Sequence, residues 1–182
     1  LNLDQTLYEI LPEFPEKEQA RKIKLNHLIS HTSGLQDYMF DIDSKFMTTG
    51  EKPTKQDFLN FFIDKDLVFE PGSHYQYSNA GFLLMTYIAE NITGRNWQQL
   101  ISEIINVPTG LDFQLLKNVK KLPEFTPVFN YGTSQFLKIP VEGFKNGEFN
   151  KLPVWDYVKG DGGLTSTVQK LSKFPSFWSK GE

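Results

Sequence analysis

The 182 residues carry 19 basic and 22 acidic side chains, a net charge of −3, with 39% hydrophobic residues, 14% aromatic residues and no cysteine. That length holds a domain core, and 16 Phe, 7 Tyr and 3 Trp can fill one, which excludes a disordered, collagen-like, coiled-coil or disulfide-stapled chain. Without cysteine there is no thiol nucleophile, iron–sulfur cluster or thiolate zinc site, and the acidic balance argues against a nucleic-acid partner.

Thr6 to Leu11 reads as a short helix with Asp4 as its N-cap, stopped by Pro12 and Pro15. Leu25, Leu28 and Ile29 stand at i, i+3 and i+4, so another short helix runs into His31-Thr32-Ser33-Gly34. Gly34 is expected to end it in the left-handed conformation. Thr54 and Asp57 form a capping box ahead of the apolar run Phe58, Leu59, Phe61, Phe62 and Ile63, a helix to about Lys65. A loop with Pro71-Gly72 delivers the segment His74 to Asn79. From Ala80 to Ile92 the chain is apolar on most sides, the mark of a buried helix, and Gly94 ends it.

Asn96 with Gln99 caps the next helix, whose Trp97, Leu100, Ile101, Ile104 and Ile105 make one apolar face until Pro108. After Pro108 the character changes. Thr126 to Tyr131 and Phe136 to Val141 read as strands, and Asn146-Gly147 as a hairpin turn. Ser166 with Gln169 is expected to cap a last helix through Val168 and Leu171, limited by Pro175. The fold class is therefore mixed α and β, α-rich. One domain over 1–182 divides into a mainly helical part (roughly 1–125), a short antiparallel β-rich insert (126–160) and a Gly-Gly-Leu segment with the last helix (161–182). No apolar run approaches the roughly 18–20 residues of a membrane span. The first 90 residues carry 8 basic and 14 acidic side chains and the remaining ones 11 and 8. An unevenly charged solvated surface explains this split more simply than a polar contact between the halves.

Chemistry-bearing motifs are scarce at first sight. His27 and His31 have the four-residue spacing that lets two imidazoles share a zinc. Leu28 stands where a metalloprotease needs Glu, so structural histidines are the better reading. No phosphate-binding glycine loop occurs, since Gly160 to Gly163 is followed by Leu164-Thr165 rather than Lys. No G-x-S-x-G elbow occurs either, because Ser33 and Ser73 each have a glycine on one side only. Asn91-Ile92-Thr93 matches a glycosylation sequon by three residues, within an expected buried helix. What remains is Tyr77-Ser78-Asn79, between the Pro-Gly loop and that helix; taken alone, the Tyr could be packing and the Asn a cap.

The surroundings of that triplet are more specific. Phe69-Glu70-Pro71-Gly72-Ser73-His74-Tyr75-Gln76-Tyr77-Ser78-Asn79-Ala80-Gly81-Phe82 resembles the serine β-lactamase and penicillin-binding-protein family, in the class C branch where the second motif reads Tyr-x-Asn. Leu25 to Leu35 is similar to the family's "HLLSHTSGL" segment. Asn91-Ile92-Thr93-Gly94, followed by a helix and Pro108, is similar to its "TG…PLGM" region. Gly162-Gly163-Leu164-Thr165-Ser166-Thr167 resembles "GGLxST". Four matches in order, over nearly the whole chain, exceed any one of them in specificity.

The resemblance implies the helical part of a β-lactamase/transpeptidase-like fold, lacking most of the main sheet. It implies a serine that acylates itself on a β-lactam, D-amino-acid peptide or ester carbonyl, without a cofactor. On that basis Tyr77 is the proton shuttle and Asn79 positions the substrate's acyl-amide group. Ser78 and Gly163 shape the motifs or line the substrate. The implied partner is a small-molecule or peptidoglycan-like substrate, and the implied location the periplasm, the cell envelope or the exterior. A phenol has an ordinary pKa of about 10, so such a Tyr needs a cation or a shared proton network.

The chain departs from the pattern at two places. No serine is followed by x-x-Lys; Thr167-Val168-Gln169-Lys170 has the spacing with Thr but lies in the "GGLxST" region. Lys-Thr-Gly and His-x-Gly are absent too. Leu3-Asp4-Gln5 corresponds to the family's segment just after the nucleophile helix. The expectation is thus that the serine lies upstream of Leu1 and the third motif beyond Glu182, leaving this chain catalytically incomplete by itself. The alternative is a non-catalytic domain on the same scaffold that senses β-lactams or peptidoglycan fragments.

Overall fold

The computed structural model describes residues 1–14, 18–39, 41–42, 51–63, 65–115 and 158–175. The expected strands at 126–131 and 136–141 and the Asn146-Gly147 turn lie outside the described residues. Within them the chain is helix-rich, as expected, and short helices pack around one long one.

Helix α1 (Leu7–Ile10) is capped by Thr6, not by Asp4. The Thr6 N–H and hydroxyl both reach Glu9 Oε2, at 2.7 and 2.8 Å, closing a box that Asp4 lies too far upstream to make. An antiparallel bridge between Thr6 and Lys24 holds the entering chain extended. Asp4 instead meets the Lys24 ammonium at 3.0 Å. Helices α2 (Glu18–Lys22) and α3 (Leu25–Ile29) follow.

Gly34 does not stop α3. That helix ends at Ser30, and the left-handed residue beyond it is His31, with φ 56°. Gly34, with φ 75°, serves a different need three residues later, where the Phe69 carbonyl passes so close that a Cβ would collide with it.

Helix α4 (Lys55–Ile63) begins at the expected box, with the Thr54 N–H and hydroxyl on Asp57 Oδ2 at 2.8 and 2.7 Å. Helix α5 (Asn79–Thr93) is the centre of the molecule, capped by Ser78 and closed by Gly94 at φ 66°. Its Leu83, Leu84 and Ile88 share one buried core with Leu7, Leu11, Ile23 and Leu28 of the amino-terminal segment and Phe58 and Leu59 of α4. Gly81 lets α5 lie directly on α3: a Cβ there would stand 2.6 Å from the Leu28 carbonyl oxygen. The end of α5 emerges from the core, so Asn91 and Ile92 are exposed rather than buried.

Helix α6 (Trp97–Leu100) has the expected Asn96–Gln99 box, then widens into a π-helical stretch (Ile101–Asn106) and a last turn, α7 (Val107–Thr109). The wider turn shifts the phase of the apolar face. Leu100 and Ile101 are buried, but Ile104, expected on the same face, is 65% exposed.

Two strands escaped the sequence reading. Gln114–Leu115 (β1) pairs antiparallel with Leu164–Thr165 (β2), bringing the late chain back to the helical part. The last helix, α8 (Val168–Leu171), is capped by Thr167 rather than Ser166, through a 3.3 Å bond from the Lys170 N–H. Lys159 reaches Glu90 at 3.2 Å, a contact between the basic and acidic parts of the chain. Among the described residues no helix is long and apolar enough to cross a membrane.

Candidate active site

The segment leading into α5 is pinned to the turn that follows α3. The Gly72 N–H bonds the Thr32 carbonyl at 2.8 Å and the Gln76 N–H bonds the His31 carbonyl at 2.9 Å. His31 also works through its ring. Its Nδ1 accepts the Ser78 N–H at 3.3 Å, and its face packs on Tyr77 (4.7 Å between centroids) and Phe82 (5.2 Å). The left-handed backbone at His31 is what lets ring and carbonyl serve the same neighbouring segment.

These supports present Tyr77 to solvent, 59% exposed, with its hydroxyl donating to Asn79 Oδ1 at 3.0 Å. Asn79 is the first residue of α5. Its backbone N–H and its side-chain Nδ2 both donate to Asp37 Oδ2, at 2.8 and 2.9 Å, and Nδ2 also lies 2.9 Å from Met39 Sδ. Tyr77 and Asn79 are thus brought together by a direct hydrogen bond. Ser78, between them, is buried and turned inward, its Oγ accepting from the Ala80 N–H at 3.1 Å as the cap of α5. Ser78→Ala is expected to cost about 1 kcal/mol of stability by denaturant titration; no loss would sink the capping role.

Between Asp37 and Met39 stands Tyr38, buried against Phe58, whose hydroxyl donates to Asp161 of the Gly-rich loop. The other Asp161 oxygen, Oδ1, is buried without a hydrogen-bond partner among the described residues. Burial pushes the Asp161 carboxyl up to about 6; the bond from Tyr38 opposes the rise and the nearby Asp37 charge adds to it. The folded chain therefore favours the protonated acid. That contribution is present in full below the ordinary value of 3.8 and is lost as pH rises through about 6. The loss amounts to about 3 kcal/mol at pH 7. Melting temperature is expected to fall across this window, and Asp161→Asn to flatten the fall; an unchanged slope in that variant would sink the assignment.

With this geometry in view, comparison with known proteins is decisive on family. A family model described as Beta-lactamase matches residues 1–178. The chain belongs to the beta-lactamase family. Penicillin-binding protein 4* of Bacillus subtilis is 29% identical over 171 residues, covering 90% of this chain and 36% of that protein. A D-aminopeptidase of Brucella anthropi is 28% identical over 182 residues, covering 96% and 31%. The chain thus spans about a third of the length of these curated relatives. Among solved structures, the penicillin binding protein from Bacillus halodurans superposes with TM-score 0.70 at 23% identity, over 99% of this chain and 52% of that one. The D-amino acid amidase from Ochrobactrum anthropi SV3 superposes with TM-score 0.68 at 21% identity, over 95% and 49%. At those identities the likeness establishes the β-lactamase/transpeptidase-like fold.

Within this beta-lactamase-family chain the Ser73 and Ser78 hydroxyls beside the site are taken up by local hydrogen bonds. Ser73 Oγ donates to the Glu70 carbonyl at 2.6 Å and stands 2.8 Å from His74 Nδ1. A hydroxyl has one proton, so His74 must donate to Ser73 and cannot act as its base. His27 and His31 diverge. His27 Nδ1 accepts the Lys24 N–H at 3.2 Å, and burial followed by the Lys24 charge holds its pKa below the ordinary value. Among the described residues no group of three or more His, Asp or Glu could hold a metal.

Gly163, at φ 77°, sits just before β2, where a Cβ would stand 2.7 Å from the Val158 carbonyl oxygen. Its loop meets the Tyr77 cluster through Asp161 and Tyr38. The sequence reading missed Asp37, Met39 and Asp161. The signal for the first was an acidic side chain two residues beyond Leu35, where the "HTSGL" match stops.

Proposed function

We propose that this chain forms the Tyr-x-Asn wall of the active site of a serine hydrolase, whose nucleophilic serine and its lysine lie in residues other than these 182. The observation that carries the reading is the exposed Tyr77 hydroxyl, hydrogen-bonded to an Asn79 amide that is itself held from behind. In the proposed reaction Tyr77 enters as the phenolate, the serine Oγ attacks an amide, ester or β-lactam carbonyl, and the serine proton passes to the Tyr77 oxygen. Tyr77 then returns a proton to the leaving nitrogen or oxygen as the acyl-enzyme forms, and water later releases the acyl group. Of the two Asn79 Nδ2 protons one stays on Asp37 Oδ2, and the other, which faces the weak acceptor Met39 Sδ, turns to the acyl-amide oxygen of the substrate.

A phenolate requires a nearby cation. Among the described residues the hydrogen-bonded neighbours of Tyr77 and Asn79 are an amide, a carboxylate and a thioether, with no Lys or Arg between them. That environment supports a site completed from elsewhere and a chain that is inactive alone. The relatives named penicillin-binding protein and D-aminopeptidase support a β-lactam or D-amino-acid peptide substrate; an ester substrate and work at the cell envelope are proposed on the family resemblance.

The test is covalent labelling of the longer protein that carries these residues. A fluorescent penicillin and an activated phosphonate are each expected to modify one serine, located by peptide mass spectrometry in a Ser-x-x-Lys motif. Reversible β-lactam binding with no covalent adduct from either probe would replace the hydrolase with the sensor domain on the same scaffold.

A further inference from the structure

The Asn79 amide is held by a residue for which nothing yet accounts. Three N–H groups converge on the Asp37 carboxylate: the Met39 N–H on Oδ1 at 2.9 Å, and the Asn79 N–H and Nδ2 on Oδ2 at 2.8 and 2.9 Å. A carboxylate is acceptor-only at both oxygens, so it satisfies all three. An Asn at 37 would have to turn its NH₂ against one set of donors. The Asn79 N–H also belongs to the first turn of a 15-residue helix, where the orphan donors and the helix dipole favour an anion. The charge at position 37 is therefore matched to its place.

The consequence lies at the far end of Asn79. With Nδ2 committed to Asp37, the amide can present only Oδ1 to Tyr77, and the phenol donates to it at 3.0 Å. Turned by 180°, the amide would offer Nδ2 to the Tyr77 oxygen, and the phenol would become an acceptor. Asp37 itself is steadied by the next residue, Tyr38, which is buried on Phe58 and bonded to Asp161.

We propose that Asp37 is a positioning residue for acyl transfer, fixing through Asn79 which end of the amide faces Tyr77 and the substrate. This rests on the roles proposed above for Tyr77 and Asn79. Asp37 touches neither reacting atom; two of its three donors belong to Asn79, and its effect on the reaction passes through that residue. That makes its signature a loss of additivity with Asn79.

The test compares acylation rates of the longer protein with a fluorescent penicillin or an activated phosphonate, using whichever labels the unsubstituted form. Asp37→Asn is expected to slow acylation on the order of 10- to 100-fold, the scale of a misplaced reacting group. Asn79→Ala is expected to slow it at least as much. The double variant should react no more slowly than Asn79→Ala alone. Asp37→Ala, which removes the acceptors without opposing a donor to a donor, serves as the second variant should Asp37→Asn lack a cooperative melt. A folded Asp37 variant reacting within about twofold of the unsubstituted protein, or a double variant slowed by the product of the single effects, overturns the proposal. If the unsubstituted protein is labelled by neither probe, the hydrolase reading falls and takes this one with it. If it is labelled and the Asp37 variants react as fast, only the role of Asp37 falls.

Discussion

Tyr77→Phe is expected to slow acylation of the proposed serine hydrolase by about 10²- to 10⁴-fold, the range attributed to one general acid–base group. Folding should be nearly untouched. The ring remains to pack on His31, whose centroid is 4.7 Å away, and the residue is already 59% exposed. Among the described residues the one hydrogen bond removed is that to Asn79 Oδ1, at 3.0 Å. Losing a partly exposed neutral bond of that kind alters stability by only about 1 kcal/mol. The informative measurement is therefore a pair, the acylation rate constant and the melting temperature on the same preparation. A large loss of rate with an unmoved melt supports Tyr77 as the proton carrier. A rate unchanged within threefold would remove it from the mechanism and leave the motif structural.

Gly34→Ala is expected to be the most damaging small substitution among those considered, on the order of 3–5 kcal/mol. Two costs combine at this site. The backbone has φ 75°, where a Cβ is strained, and that Cβ would be driven into the Phe69 carbonyl, a backbone atom with no rotamer to escape into. Gly34 also accepts the Val68 N–H at 2.9 Å, at the start of the segment that runs into Tyr77. Relief of the collision therefore displaces the approach to the site. Gly94→Ala is the control: it has φ 66° but no atom of the described residues within 4 Å of the added carbon. It should cost only the conformational part, about 1–2 kcal/mol. Urea midpoints of the two variants decide the matter; equal destabilisation would show that the approach of Phe69 is unimportant.

The Gly34 case also shows how local reading misassigns a residue. From the sequence, a glycine five residues after Ile29 looks like a helix stop. The folded chain ends α3 at Ser30, uses a left-handed His31, and keeps Gly34 for a neighbour 35 residues further on. The same holds at the caps. Thr6 and Thr167, not Asp4 and Ser166, cap their helices, because each cap depends on where the first turn begins to within one residue. The boxes at Thr54 and Asn96 were legible, since a residue and its partner three places on are both written locally. The apolar run of α5 was legible for the same reason, although Asn91 and Ile92 at its end leave the core.

The sequence by itself determined the helical character, the capping boxes at Thr54 and Asn96, and the ordered motifs that place the chain in the beta-lactamase family. Those are properties of neighbours along the chain, carried by periodicity and spacing. Tertiary structure alone decided that Asp37 holds Asn79 from 42 residues away and that Tyr38 meets Asp161 across 123. It also decided that the His31 ring packs on Tyr77. Hydrogen-bond donors converging on one carboxylate leave no period in a sequence; they meet because α5 packs on α3 over Gly81, and that packing is settled only when the core closes.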